Sequence, residues 1–314
     1  MTTRSRKTES GGAWMAAAAL AVGAALGGTV CASSHQAPAA SAGFDGSKAY
    51  AHVREVVGFG PRPAGSAALE AARGHIKKQL AAAGVEVREQ AFTADTPIGP
   101  VRMVNLIATI PGRSPGKIVF GGHYDTKLFR AFRFVGANDA GSSTAFLIEW
   151  ARVLKNRKNA LTSEVVFFDG EEAFVDWYTD HDNTYGSRHY VEAARRDGSL
   201  KQIRAMVLVD MIGDRDLHIR RELSSTRWLT DIVWAAARRL KHTDVFLDQT
   251  TQIEDDHVPF LRAGIPAVNI IDGPEDYPPW HTAGDTLDKV SARSLQVVGD
   301  VLLEALGGIE KKLQ

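Results

Sequence analysis

Val165-Val-Phe-Phe-Asp-Gly-Glu-Glu-Ala173 decides the fold. Four apolar residues, β-branched or aromatic, run directly into three carboxylates and a glycine. This is the pattern of a buried central strand that delivers acids at its C-terminal end. Open α/β sheets bind ligands along that edge. Glu171 and Glu172, side by side in a partly dry cleft, repel each other unless a cation or a proton offsets their charge, and a divalent metal is the economical means. A solvated pair in a loop is the plain alternative for an isolated Glu-Glu, so the neighbouring segments have to decide.

They decide by repetition. The apolar run 118–122 ends in His123-Tyr-Asp125, where a carboxylate two residues on can orient the imidazole. Val135-Gly-Ala-Asn-Asp139-Ala-Gly141 presents Asp139 in a glycine-rich turn at an expected helix start, and the run 207–209 ends in Asp210. Trp280-His281-Thr282 follows an expected strand at 267–271. Each has an ordinary explanation: Asp139 as a helix cap, His123 as a satisfied buried histidine, Asp210 as a turn residue, Trp280 as packing. Recurrence at the ends of successive strands favours a shared ion over separate accidents. Oxygen and nitrogen donors without thiolate fit zinc in a hydrolytic or acyl-transfer role. Around these segments, periodicity and capping residues predict helices over 49–57, 67–83, 142–155, 226–240 and 291–306, with another from about 187. Strands are predicted over 85–92, 103–110, 117–122, 205–209 and 267–271, with a short one near 245 and a helical turn at 258. That alternation gives an α/β fold: a single domain with a mostly parallel, mixed central sheet flanked by helices on both faces.

The order His-x-Asp, Asn-Asp-Ala-Gly, Asp-Gly-Glu-Glu, strand-Asp and late His resembles the co-catalytic zinc aminopeptidases and their relatives, the animal-type glutaminyl cyclases. The resemblance spans roughly residues 48–310. Three segments are similar to the cyclase branch: the insertion from Ala173 to Tyr185 with Trp177 inside it, Glu254-Asp255-Asp256-His257-Val-Pro-Phe-Leu-Arg-Ala-Gly-Ile-Pro266, and Trp280-His281-Thr282. Carried over, the cyclase pattern implies one catalytic zinc on Asp139, Glu172 and His281 with a position open to substrate. It implies Glu171 as general base and acid, Asp210 and Asp255 as supporting catalytic acids, and Trp177, Trp280, Glu254 and Tyr277 as substrate-binding residues. Glu254 stands where the vertebrate pattern has glutamine, and the family's disulfide is absent. The expected activity is cyclisation of N-terminal glutamine of peptides or proteins, with loss of ammonia. His123 and Asp210, with Asp139 as bridge, equally permit a second metal ion and a two-zinc aminopeptidase. A non-catalytic peptide-binding ectodomain is the remaining class, against which the intact acid set counts.

Composition fits these readings. The chain has 314 residues, 44% hydrophobic and 24% charged, with zero formal net charge, which suits one globular domain plus an appendage and gives no sign of nucleic-acid or anionic-membrane partners. The appendage is at the front. Arg4, Arg6 and Lys7 precede an alanine-rich apolar run over 13–30, and Val30-Cys-Ala32 offers small residues for a signal peptidase, so 1–32 reads as an export signal. The destination is periplasmic or secreted, with an uncleaved N-terminal anchor as the alternative. Cys31 is the only cysteine and lacks the small residue usual before a lipidated one, so the exported domain has no internal disulfide. Residues 33–46 read as a linker and 47–314 as the zinc-dependent catalytic domain, expected to be a monomer.

Overall fold

The computed structural model describes residues 43–178 and 181–314. The expected export signal and the linker up to residue 42 lie outside them. The packed domain begins slightly before the expected boundary at 47: Phe44 is buried and stacks on Phe146 at 4.7 Å. Asp45 then caps helix α1 (Gly46–Gly58) by accepting from the Ser47 and Lys48 N–H groups. Helix α2 (Ala67–Ala82) starts as the sequence suggests, with Ser66 accepting from the Leu69 N–H.

The remaining elements follow in alternation. Strands β1 (Val87–Thr96), β2 (Gly99–Ile110) and β3 (Ser114–His123) precede α3 (Gly141–Lys155), and β4 (Leu161–Phe168) precedes α4 (Tyr185–Arg196). Then come β5 (Ile203–Asp210), β6 (Ile219–Glu222), α5 (Arg227–Arg239), β7 (Phe246–Thr251), α6 (Val258–Arg262), β8 (Ala267–Ile271) and α7 (Ala292–Leu313). The main sheet has the order β1-β2-β4-β3-β5-β8, and β6 pairs with β7 in a small second sheet. β4, β3, β5 and β8 run parallel, while β1 and β2 form an antiparallel edge.

Side chains of the parallel strands alternate between two cores, as the twofold period of a strand requires. Val165 and Phe167 join a large cluster under α1, α3, α5 and α7; Val166 and Phe168 join a second one under α4 and α6. α3 and α4 therefore lie on opposite faces, and the chain leaves the adjacent strands β3 and β4 in opposite directions. That divergence opens a crevice at the C-terminal edge. The register aligns the strand ends there, with His123 opposite Phe168 and Asp210 opposite Ile271. None of the described helices is long and apolar enough to cross a membrane.

Candidate active site

Each acid or imidazole at the crevice is set by a local backbone device. Asp169, the first carboxylate after β4, turns inward: it accepts from the Val104 N–H at 2.7 Å and the Tyr124 hydroxyl at 3.2 Å. Gly170 follows with φ near +70°, a left-handed conformation that favours glycine, and the chain turns there toward Glu171 and Glu172. Asp125 fixes that turn by accepting from the backbone N–H groups of Glu171 (3.2 Å) and Glu172 (3.4 Å). Its distance to His123 Nδ1 is 3.6 Å, so its hydrogen bonds go to the acid turn rather than to the imidazole.

Two triplets of donor atoms converge, each within 4.8 Å of one another: Asp139, Glu172 and His281, and His123, Asp139 and Asp210. His281 Nε2 lies 3.0 Å from Glu172 Oε1 and 3.4 Å from Asp139 Oδ2. His123 Nε2 lies 3.2 Å from Asp139 Oδ1 and 3.1 Å from Asp210 Oδ1. Asp139 is shared by both triplets. It does not cap α3, whose N-cap is Ala140 and makes no side-chain bond. Instead Asp285 holds the Asp139 turn, accepting from the Asn138 and Asp139 N–H groups at 2.8 and 3.1 Å. Buried Arg62 ties the preceding turn by donating to the Val135 and Gly136 carbonyls at 2.6 and 3.1 Å.

The electrostatics fit a divalent ion. Burial lowers the proton affinity of His281, yet Glu172 and Asp139 outweigh it and push the imidazole up to about 9. His123 is driven the same way by Asp210 and Glu171 against its burial. Asp139 is held below the usual carboxylate range by hydrogen bonds from both imidazoles, again against burial. The carboxylates recruit protons on histidine, and a bound cation, whose ligand imidazoles must be neutral, would replace that charge. Glu171 stands apart from the Asp139, Glu172 and His281 triplet. Burial raises its carboxyl well above the normal range, His123 opposes the rise, and Glu172, Asp255 and Asp256 reinforce it. Asp255 is pushed up to about 7, first by burial and then by Asp210.

These groups line a cavity of about 760 Å³. Asp139, Glu171, Glu172, Asp210, Asp255 and His281 form its inner part; Trp177, Glu254 and Trp280 stand on its walls. Trp280 stacks on the His281 ring at 4.0 Å. Phe129 and Phe134 meet the same ring edge-on at 5.5 and 5.8 Å, so aromatic packing fixes the imidazole. Tyr277 is a correction to the expected substrate-binding set. It is 1% exposed, does not line the cavity, and donates its hydroxyl to Asp285 at 2.7 Å. The ring lies behind the wall because it joins Met211 and Ile271 in a small apolar cluster.

Lys127 was not singled out by the sequence: it lines the cavity, donates to the Ala173 carbonyl at 2.9 Å and lies 3.6 Å from Glu172. Its only sequence signal is its place two residues after Asp125. Asp285 and Arg62 carry no signal of their own, because they act on backbone groups far away in sequence.

Comparison with known proteins agrees with this geometry. Residues 105–306 match the model of peptidase family M28. The chain is 30% identical over 263 residues to a glutaminyl-peptide cyclotransferase of Drosophila melanogaster, covering 74% of this chain and 73% of that one. Among solved structures, an Acidobacteriales bacterium glutaminyl cyclase is similar with TM-score 0.81 and 40% identity, covering 88% of this chain and 98% of the other. A leucine aminopeptidase precursor from Bacteroides thetaiotaomicron is similar with TM-score 0.77 and 26% identity, covering 84% and 97%. The chain therefore belongs to peptidase family M28 and, within it, to the glutaminyl cyclases.

Proposed function

We propose that the protein is a zinc-dependent glutaminyl-peptide cyclotransferase that converts N-terminal glutamine of peptides or proteins to pyroglutamate and releases ammonia. The observation that carries this reading is the joint placement of the Asp139, Glu172 and His281 triplet and the proton-retaining Glu171 in one cavity walled by two tryptophans. Zinc on that triplet would polarise the γ-carboxamide carbonyl of the substrate and stabilise the charge that develops on its oxygen.

The protein's own residues supply the rest. Glu171 takes a proton from the α-amine as that nitrogen bonds to the γ-carbonyl carbon, and gives it to the amide nitrogen as that C–N bond breaks, so the proton count closes with ammonia as leaving group. A carboxyl with raised proton affinity suits both halves of this transfer. Burial first, then Glu172, Asp255 and Asp256, keep the proton affinity of Glu171 high, while Asp210 holds His123 Nε2 at 3.1 Å. Trp177 and Trp280 hold the glutaminyl side chain against its own amine and keep water away, which favours ring closure over deamidation.

A second reading, a two-metal aminopeptidase, is supported by the His123, Asp139 and Asp210 triplet and by the likeness to the aminopeptidase precursor. Peptides beginning with Gln and with Leu separate the two. Ammonia release with loss of a free amine from the Gln peptide is the expected result, with one zinc per chain. Free leucine and two metals per chain would establish the peptidase instead. The basic, apolar residues 1–32 support export of the enzyme to the periplasm or medium.

A further inference from the structure

We propose that the cavity mouth selects peptides in which arginine or lysine follows the N-terminal glutamine, an inference that rests on the cyclase reading and names its substrate class. The metal triplet and Glu171 occupy the inner part of a 760 Å³ cavity that is larger than one glutaminyl residue needs, so the next residues of the peptide occupy the outer part. The walls there combine two chemistries. Glu254 and Glu275 contribute two carboxylates, and Trp177, Tyr178 and Trp280 contribute aromatic faces, with Tyr178 87% and Trp280 38% exposed.

Both carboxylates stay solvent-exposed beside the nearest described cations. Lys127 is the one Lys or Arg on the described cavity lining, and it is turned to the Ala173 carbonyl and Glu172. Arg262 approaches Glu254 at 3.4 Å between two exposed side chains and lies off the wall. Arg220 is 3.9 Å from Glu275 and makes its short bonds, 2.6 and 2.8 Å, to Asp276. Carboxylates set among aromatic faces recognise one substrate chemistry: a guanidinium or ammonium, which gains both Coulomb attraction and cation–π contact. An acidic residue at the same position meets two like charges.

The test uses the zinc-loaded enzyme and four amidated peptides that differ only after the first residue: Gln-Arg, Gln-Lys, Gln-Ala and Gln-Glu. Cyclisation is followed by ammonia release. The expected kcat/KM order is Arg and Lys above Ala above Glu, with Arg over Glu by about three- to tenfold at low salt, the size that a few exposed charge pairs provide. The ratio should shrink toward unity near 1 M salt, where the screening length is about 3 Å. Glu275→Gln and Glu254→Gln should each reduce the Arg/Glu ratio. Because both peptides are measured on the same preparation, a loss of folded enzyme does not imitate that change. Equal rates for all four peptides, a preference for Gln-Glu, or a ratio unmoved by salt and by both variants would overturn the proposal while leaving the cyclase reading intact. Ammonia from none of the four would remove that reading, and this inference with it.

Discussion

Single residues in the cavity divide, on the proposed function, into those that would hold the metal and those that would act beside it, and substitutions can separate them. Glu171 is buried and its carboxylate accepts no hydrogen bond among the described residues; His123 Nδ1 lies 3.6 Å from it. Glu171→Gln keeps the volume and removes the proton carrier, so kcat should fall by about 10²- to 10⁴-fold. Zinc content should not change, because Asp139, Glu172 and His281 are intact. Turnover near the parent's would show that another group carries the proton. Tyr277 and Asp285 test the opposite case. Tyr277 donates to Asp285, which accepts from the backbone beneath Asp139, so both act on the metal turn. Asp285→Asn should weaken zinc affinity by roughly 10- to 100-fold, the usual cost of disturbing groups that orient a ligand. Tyr277→Phe should move zinc affinity the same way, to a smaller extent, with KM for the peptide unchanged at saturating metal. A raised KM with unaltered metal affinity would put Tyr277 in contact with substrate. The donor residues were legible in the sequence because acids and imidazoles at strand ends form a recurring pattern. Asp285, Asp125 and Arg62 were not, because each satisfies backbone groups of a distant loop and nothing in its own neighbourhood marks that task.

At the level of elements, the loop between β4 and α4 lines the cavity with Val175, Asp176, Trp177 and Tyr178. Asp182 ties it together by accepting from the Phe174, Val175 and Asp176 N–H groups at 3.2, 2.7 and 3.1 Å and from the Tyr185 hydroxyl at 2.8 Å. Asn183 adds a bond to the Trp177 carbonyl at 2.7 Å. Asp182→Ala leaves three backbone donors to find water, a loss of about 1–3 kcal/mol per buried group that the loop meets by loosening rather than by unfolding the domain. The expected result is a several-fold higher KM with normal zinc content and little change in the global melting temperature; unchanged KM would show that Trp177 does not depend on this tether. The elements were read best where propensity, capping and burial agree, as at α2 with Ser66 and α7 with Ser291. They were read worst where tertiary contacts decide. β6 (Ile-Arg-Arg-Glu) went unseen because four residues with two charges give no strand pattern, and it exists by pairing with β7 and a bridge to Asp272. β1 extends past the expected end at 92 because ten of its residues find partners on β2. α7 runs on past the expected end at 306 to Leu313, through Gly307 and Gly308. There Ile309 and Glu310 are buried, and Glu310 pairs with Arg157 at 2.6 Å, so packing overrides the glycine penalty of about 1 kcal/mol each.

For the whole molecule, the acids behind the site set how stability depends on pH, and Asp272 is the clearest case. It follows β8, is 0% exposed, and neither carboxylate oxygen has a hydrogen-bond partner among the described residues. Burial first, then the charges of Asp214 and Asp276, push its carboxyl up to about 9 from an ordinary 3.8. The folded protein thus keeps a proton on Asp272 that the unfolded chain releases above pH 4. Its contribution to stability is complete below the unfolded value of 3.8 and is lost as pH rises toward the folded value, at roughly 1.4 kcal/mol per pH unit across that window. Unlike the proposed metal ligands, Asp272 is not among the residues lining the cavity, so its removal should leave the reaction chemistry in place. Asp272→Asn mimics the protonated form at every pH. It should raise the melting temperature at pH 8 by several degrees, as expected for a stabilisation of a few kcal/mol, and give no advantage at pH 4. Thermal melts of the two proteins across pH 4–9 measure this directly. Parallel curves, or a variant less stable at pH 8, would mean that Asp272 is ionised in the folded protein and that a cation satisfies its oxygens.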